Sequence, residues 1–239
     1  MLFDAVKSVT TVVAIDGPAA SGKSTTARLA ARRLGFIHLD TGAMYRAVTL
    51  ACQEQRLPTR ESSELADLLA ALDVRFQTSG ENQQRTLLNG RDVTDAIRTP
   101  EVTRQVSAYS ALGIVRERMV NLQQRIGAKQ NVVCEGRDIG TRVFPDARFK
   151  FYLVADLEER ARRRCDELRA RGESPSLEHV AEQLRQRDRE DSTRVLSPLQ
   201  KARDAITVDT TNLTIPAQVD FIVALVKAAQ KQSERESIK

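Results

Sequence analysis

Apolar positions follow two rhythms along this chain. Val12, Val13, Ala14 and Ile15 run unbroken after Thr11 and end at Asp16, the pattern of a strand buried on both faces of a parallel sheet. A Gly-rich turn follows, and the spacing then predicts a helix over about 23–34, stopped by Gly35 as a C-terminal cap. A second strand is expected over 36–39, and Asp40-Thr41-Gly42 leads into another helix through about Gln55. An opening βαβα order argues for an α/β protein with a parallel sheet.

The rhythm changes after Pro58. Leu65, Leu68, Leu69 and Leu72 mark one amphipathic helix; short alternating strands follow at 74–76 and 85–88, and Asn89-Gly90 signals a hairpin. The stretch 61–100 reads as a small antiparallel lobe inserted into the core. A helix returns with Leu112, Val115, Met119, Leu122 and Ile126 in one stripe, the spacing of core packing. Strands are expected at 131–135 and 149–154, and Asp156 with Glu159 resembles a capping box before a helix rich in arginine: Arg160, Arg162, Arg163, Arg164, Arg169 and Arg171. A turn at Gly172 and Pro175 precedes a charged helix over about 177–191; a last strand at 206–209 and a helix from Pro216 follow, with Ile222, Leu225, Val226 and Ala229 on one face. The polar tail from Lys231 is expected to fray.

Composition narrows the class. The 239 residues are 41% hydrophobic and 29% charged, enough for a sizeable core in one domain. No apolar run approaches the roughly 20 residues of a membrane span. Residues 1–9 carry Asp4 and lack a basic flank before an apolar stretch, so no signal peptide is expected. Cys52, Cys134 and Cys165 are too scattered for a disulfide framework or a metal knuckle and read as core filler in a reduced, cytoplasmic protein. The net charge is +5, and arginines outnumber lysines 29 to 8. Arginine grips phosphate in a planar fork, but an Arg-rich composition overall explains the bias equally well.

The chemistry begins at Gly17-Pro18-Ala19-Ala20-Ser21-Gly22-Lys23-Ser24, a full match to the phosphate-binding pattern G-x-x-x-x-G-K-[ST]. The glycines let backbone N–H groups curl around phosphate oxygens, and the helix beginning near Lys23 aims its positive end at the same anion. Lys23 then reaches the β- and γ-phosphates of a nucleoside triphosphate, and the Ser24 hydroxyl is placed to ligate Mg²⁺. A kinase that phosphorylates a phosphorylated acceptor must also bring two polyanions together. Arg46, Arg137, Arg163, Arg187 and Arg194, spread over separate segments, supply cations for that task; any one of them, taken alone, reads equally as part of a solvated helix face.

At this point several blocks carry a resemblance. They are Gly17 to Thr25, Leu39-Asp40-Thr41-Gly42-Ala43-Met44-Tyr45-Arg46, Glu135-Gly136-Arg137-Asp138-Ile139-Gly140-Thr141, Val143-Phe144-Pro145-Asp146-Ala147, and Arg187-Asp188-Arg189-Glu190-Asp191 with Arg194. In order, from about Val12 to Ala229, the chain resembles the bacterial cytidylate kinases of the P-loop nucleoside monophosphate kinase superfamily. The resemblance implies a three-layer α/β P-loop core (about 11–58 and 101–229) with a parallel sheet. It also implies an inserted antiparallel acceptor-binding lobe (about 59–100) and a short helical lid (about 163–176). It implies transfer of a phosphoryl group from ATP to CMP or dCMP with Mg²⁺. By matching position, Gly17 to Thr25 would hold ATP. Arg46, Arg137 and Arg194 would hold the acceptor phosphate, with Thr41 also in the CMP site. Ser107, Arg116 and Asp138 would read cytosine, and Arg187 with Asp191 would meet the pentose. Arg163 would be a lid arginine over the ATP phosphates. The catalytic set is then Lys23, Arg137, Arg163 and Arg194, and no strong general base is expected.

The base reading also makes chemical sense. A carboxylate accepts from the cytosine N4 amino group, and an arginine donates to O2 and N3. Uracil would set an acceptor against Asp138 and leave a buried group unpaired, at about 1–3 kcal/mol. A metal-shell or structural role for Asp138 remains the alternative. Asp16 either shapes the turn or touches the metal shell. His38 reads as a satisfied core histidine and His179 as solvated. No apolar strand clearly ends in the usual partner aspartate of a P-loop; Cys134-Glu135 stands where one is sought. Two further functions compete: a P-loop kinase of another small acceptor, and a nucleic-acid-binding P-loop protein suggested by the arginines of 160–194. Acids interleave those arginines throughout, so no specific nucleic-acid binding is expected. A monomer without membrane contact completes the expectation.

Overall fold

A computed structural model describes residues 10–79, 83–170 and 172–237. The signal-peptide reading of 1–9 and Arg171 therefore lie outside the described residues, as do 80–82 of the expected lobe.

Five parallel strands form the central sheet: β1 (Val12–Asp16), β2 (Ile37–Asp40), β6 (Val132–Gly136), β7 (Phe149–Val154) and β8 (Ile206–Asp209), in the order β2-β6-β1-β7-β8. The apolar runs that built them are explained by what covers each face. Val13, Ile15, Val133, Phe151 and Leu153 face one side, under α1 (Lys23–Leu34) and α8 (Ile215–Ser237). Ala14, Leu39, Val132 and Cys134 face the other, under α2 (Thr41–Glu54) and α5 (Gly113–Gly127). Helices on both faces bury the central strands on both sides, so alternation is lost there, while the edge strands β2 and β8 keep exposed positions such as Ile37 and Ile206. The three-layer α/β core is as expected.

The inserted segment carries its own antiparallel sheet of β3 (Val74–Ser79), β4 (Gln83–Leu88) and the two-residue β5 (Arg91–Asp92), beside helix α3 (Ser63–Ala71). Asn89 and Gly90 both have positive φ, +50° and +81°, the turn that matches strand twist in a two-residue hairpin. It joins β4 to β5.

Other expectations need correction. Helix α4 (Pro100–Ser110), capped by Thr99, precedes α5 and was not anticipated. β2 begins one residue later than expected, at Ile37. Asp156 precedes α6 (Leu157–Arg169) but makes no side-chain cap; Glu159 is turned along the helix to Arg163 instead. Helix α7 (Leu177–Thr193) is capped by Ser176. Helix α8 runs on through Ser237, so the tail from Lys231 does not fray at its start. Of the stretch 163–176, residues 163–169 close α6, and α6 and α7 pack together and onto Ala19 through Ala161, Cys165, Val180 and Leu184. All three cysteines are buried and free. Among the described residues no helix is long and apolar enough to cross a membrane.

Candidate active site

The carboxyl ends of β1, β2 and β6 open into one cleft, where ligands of open α/β sheets bind. The loop after β1 is strained into shape. Gly17 has φ +146°, and a Cβ there would stand 2.0 Å from the Leu153 carbonyl oxygen. Ala20 (φ +58°) and Gly22 (φ +87°) complete the curl. Gly22 precedes α1 with no side-chain cap, which leaves the first N–H groups of the helix for an anion. The outside of the loop is tied down: Arg160 donates to Ala19 O at 3.2 Å and Thr210 Oγ1 to Ser21 O at 3.0 Å. Lys23 lies buried within, donating to Pro18 O and to Ser21 Oγ.

Behind Ser24 the missing carboxylate appears. Ser24 Oγ donates to Glu135 Oε2 at 2.6 Å, and Glu135 Oε1 lies 3.0 Å from His38 Nε2. Thr41 Oγ1 fixes the Glu135 carbonyl at 2.6 Å. Burial opposes the Glu135 charge, but His38 and Ser24 outweigh it and hold this carboxyl below its usual range. His38 is therefore not a core histidine; it lines the cleft. The sequence signal was present as a carboxylate ending an apolar strand, with the longer Glu in place of the Asp that was sought.

Asp16 takes the other of its two readings. It accepts from the backbone N–H of Ile139 and Gly140, both at 2.8 Å, and so shapes the wide turn Ile139–Val143 that follows Arg137 and Asp138. Burial drives its pKa up to about 6, against those two hydrogen bonds.

The cleft encloses about 1030 Å³ and gathers side chains from the whole length of the chain. Lys23 and Ser24 line it together with Thr41, Arg46, Ser107, Arg116, Arg137, Asp138, Arg187, Asp191 and Arg194. Asp191 is the hub of the basic group. Arg137 Nε donates to it at 2.7 Å, and Arg194 approaches within 3.9 Å. Arg46 is oriented by Thr103 at 2.7 Å and Ile97 O at 3.2 Å. Also in the lining, Arg116 and Asp138 form an ion pair, each side chain 5% exposed. Arg116 also donates to Ser110 O at 3.3 Å and lies 5.3 Å over the Tyr45 ring.

Arg163 does not join this group. It donates to Glu159 (2.9 Å) and to Thr210 (3.1 and 2.5 Å). With Gly22, Thr25 and Gln218 it lines a smaller adjoining cavity of about 340 Å³. Its neighbour Arg164 lines the main cleft instead, as does Arg98 from the end of the insertion. Arg163 and Arg164 point about 100° apart on the helix, but the sequence does not say which face meets the cleft, and no local pattern singles out Arg98.

The basic groups are crowded at a cost. Burial and the Arg137 charge press Lys23 well below its ordinary pKa. Burial and Arg187 lower Arg46 to about 9; burial and Arg137 lower Arg187 to about 10. Perturbation of this kind in a cleft marks a functional site, and here the sign calls for an anionic ligand. Among the described residues no group of three or more His, Cys, Asp or Glu could hold a metal ion. The Ser24 hydroxyl and Glu135 carboxylate are hard oxygen donors beside the phosphate loop. That set fits Mg²⁺, which keeps several waters and takes most remaining ligands from substrate phosphates.

Comparison with known proteins identifies the family. The family described as cytidylate kinase matches residues 13–228. The chain is 46% identical over 233 residues to a cytidylate kinase of Citrifermentans bemidjiense, covering 98% of this chain and all of that protein. It is 47% identical over 214 residues to one of Bacillus cereus, covering 90% and 95%. A gluconokinase structure from Sinorhizobium meliloti aligns over 95% of this chain and 97% of its own, at 12% identity and a TM-score of 0.46, too distant to bear on the reaction.

Proposed function

The chain belongs to the cytidylate kinase family, and on that premise we propose that it transfers the γ-phosphoryl group of ATP to the phosphate of CMP or dCMP, giving CDP or dCDP. One observation supports the assignment of roles: a single cleft is lined by the P-loop residues, by the buried Arg116–Asp138 pair, and by several arginines drawn from separate elements.

This lining suits the two substrates. The loop 17–25 and the free first turn of α1 cradle the ATP phosphates. The smaller cavity, which shares Gly22 and Thr25 with the cleft, takes the ATP base. Asp138 accepts from the cytosine N4 amino group, with Arg116 donating to O2 and N3 and Ser107 beside them. Asp191 and Arg187 sit at the height of the pentose. Arg46, Arg137 and Arg194, all in the cleft lining, would hold the acceptor phosphate.

The bond between the γ-phosphorus and the bridging oxygen breaks, and one from that phosphorus to an acceptor phosphate oxygen forms. Little covalent chemistry falls to the protein, so positioning and charge carry the rate. Lys23 and Arg137 neutralise charge spread over the transferring group. Ser24 and Glu135 would hold Mg²⁺, which would supply Lewis-acid charge neutralisation at the triphosphate. Closure of the acceptor-binding lobe and of the short lid over the cleft would exclude water and limit ATP hydrolysis. Three buried free thiols suit a reducing cytoplasm. The arginines of 160–194 pair largely with acids on their own helices, as in Arg164–Glu167 and Arg169–Asp166, so no observation favours nucleic acid as the ligand.

The test is ADP formation from MgATP with CMP, dCMP, UMP, AMP and GMP. Turnover with CMP and dCMP is expected to dominate. Lys23→Ala should lower kcat by about 10²-fold or more. Asp138→Asn should erase the preference for CMP over UMP. Preferred turnover of another monophosphate would overturn the base assignment, and no turnover with any would overturn the kinase reading.

A further inference from the structure

Three elements meet behind the P-loop serine. Ser24 lies in the first turn of α1, Glu135 lies near the end of β6, and His38 stands in β2, the strand paired with β6. The Glu135 carboxylate is held from both sides: Ser24 Oγ on Oε2 at 2.6 Å, His38 Nε2 on Oε1 at 3.0 Å. Side-chain exposure is 10% for His38 and 5% for Glu135.

The histidine is an expensive choice for packing. Its Nδ1 is enclosed and has no partner, and an unpaired buried polar atom is destabilising. A leucine would fill this strand position without that cost. What the ring provides is the contact with Glu135. A glutamate carboxylate sits at the end of three rotatable bonds and rotates broadly about the last. With only Ser24 on one oxygen, it can swing; a second donor on the other oxygen fixes its plane. His38 is itself anchored, because Gln84 of the inserted lobe donates to its carbonyl oxygen at 2.7 Å.

We propose that His38 is a positioning residue for the divalent-cation site: by holding Oε1 of Glu135 it keeps Oε2 on Ser24, so that both oxygen donors stand preset beside the phosphate loop. The inference rests on the reading of Ser24 and Glu135 as the metal-facing pair. Partners of this outer kind hold ligands in orientation and commonly change metal affinity about 10- to 100-fold when removed.

The experiment is a Mn²⁺ titration of the protein–ATP-analogue complex followed by electron paramagnetic resonance. Nucleotide affinity is measured separately in the presence of a chelator. His38→Leu should weaken Mn²⁺ binding about tenfold or more, with chelator-measured nucleotide affinity changed less than about twofold. His38→Gln, whose amide reaches Glu135 as a donor, should restore most of the Mn²⁺ affinity. His38→Asn, polar but too short, should behave as the Leu variant and replaces it should that variant not fold. Unchanged Mn²⁺ affinity in the loss variants would overturn the proposal. So would an equal fall in metal-free nucleotide affinity, the mark of a merely structural role. If the unaltered protein shows no Mn²⁺ site in the nucleotide complex, the metal-facing reading fails first and the proposal with it.

Discussion

Asp16 shows how one side chain ties stability to site geometry. Its carboxylate is 4% exposed and carries the backbone N–H groups of Ile139 and Gly140, which orient the chain just after Arg137 and Asp138. Its folded pKa of about 6 lies above the ordinary 3.8. The folded state thus holds the proton more tightly than the unfolded state does. The stabilisation from that proton is fully present below about pH 4 and is lost as pH rises through about 6. Two pKa steps correspond to about 3 kcal/mol. Urea unfolding of Asp16→Asn across this window should show a flatter pH dependence than the unaltered protein; parallel curves would mean that Asp16 does not titrate there. The same residue illustrates the limit of local reading. Its position before the P-loop was plain in the sequence, but its partners lie more than 120 positions away. Nothing local distinguishes a turn-shaping carboxylate from a metal-facing one.

At the scale of elements, glycines with similar backbone signatures do different work. Gly17 and Gly90 both have positive φ. A Cβ at Gly17 would stand 2.0 Å from the Leu153 carbonyl oxygen, whereas nothing lies within 4 Å of one at Gly90. Gly90→Ala should therefore cost about 1 kcal/mol of backbone strain alone and leave turnover intact. Gly17→Ala must displace the P-loop from β7, and should lower both the melting temperature and activity strongly. Thermal melts with paired assays check both; equal effects would mean that backbone strain, not contact, decides. Element boundaries followed the same division. The 3.6-residue stripe of α5 and the cap at Gly35 were legible because they depend on near neighbours. Helix α4 was missed because its apolar positions, Val102, Val106 and Tyr109, are too few to stand out beside the longer stripe. The expected cap at Asp156 failed because Glu159 found a better partner in Arg163.

The whole molecule holds a positive cleft whose charges oppose one another until an anion arrives. A ligand that binds only the folded state adds RT ln(1 + [L]/Kd) to stability. CMP at one hundred times its Kd should therefore raise the unfolding free energy by about 2.7 kcal/mol, seen as a shifted denaturation midpoint. The apparent affinity should weaken as salt screens the arginines. A midpoint indifferent to CMP would remove the cleft as its binding site.

The sequence by itself determined the α/β class, the P-loop, the insertion with its hairpin, and most of the arginines that line the cleft. These are legible because helical and strand periods, turn residues and loop motifs act over a few positions, and because the family blocks keep their order. Only the tertiary structure decided which side chains meet. It set Glu135 against Ser24 and His38, turned Asp16 toward the 139–143 turn, and put Arg164 in the cleft and Arg163 beside it. Parallel pairing of strands far apart in the chain sets those meetings, through a register that spacing along any one segment does not contain.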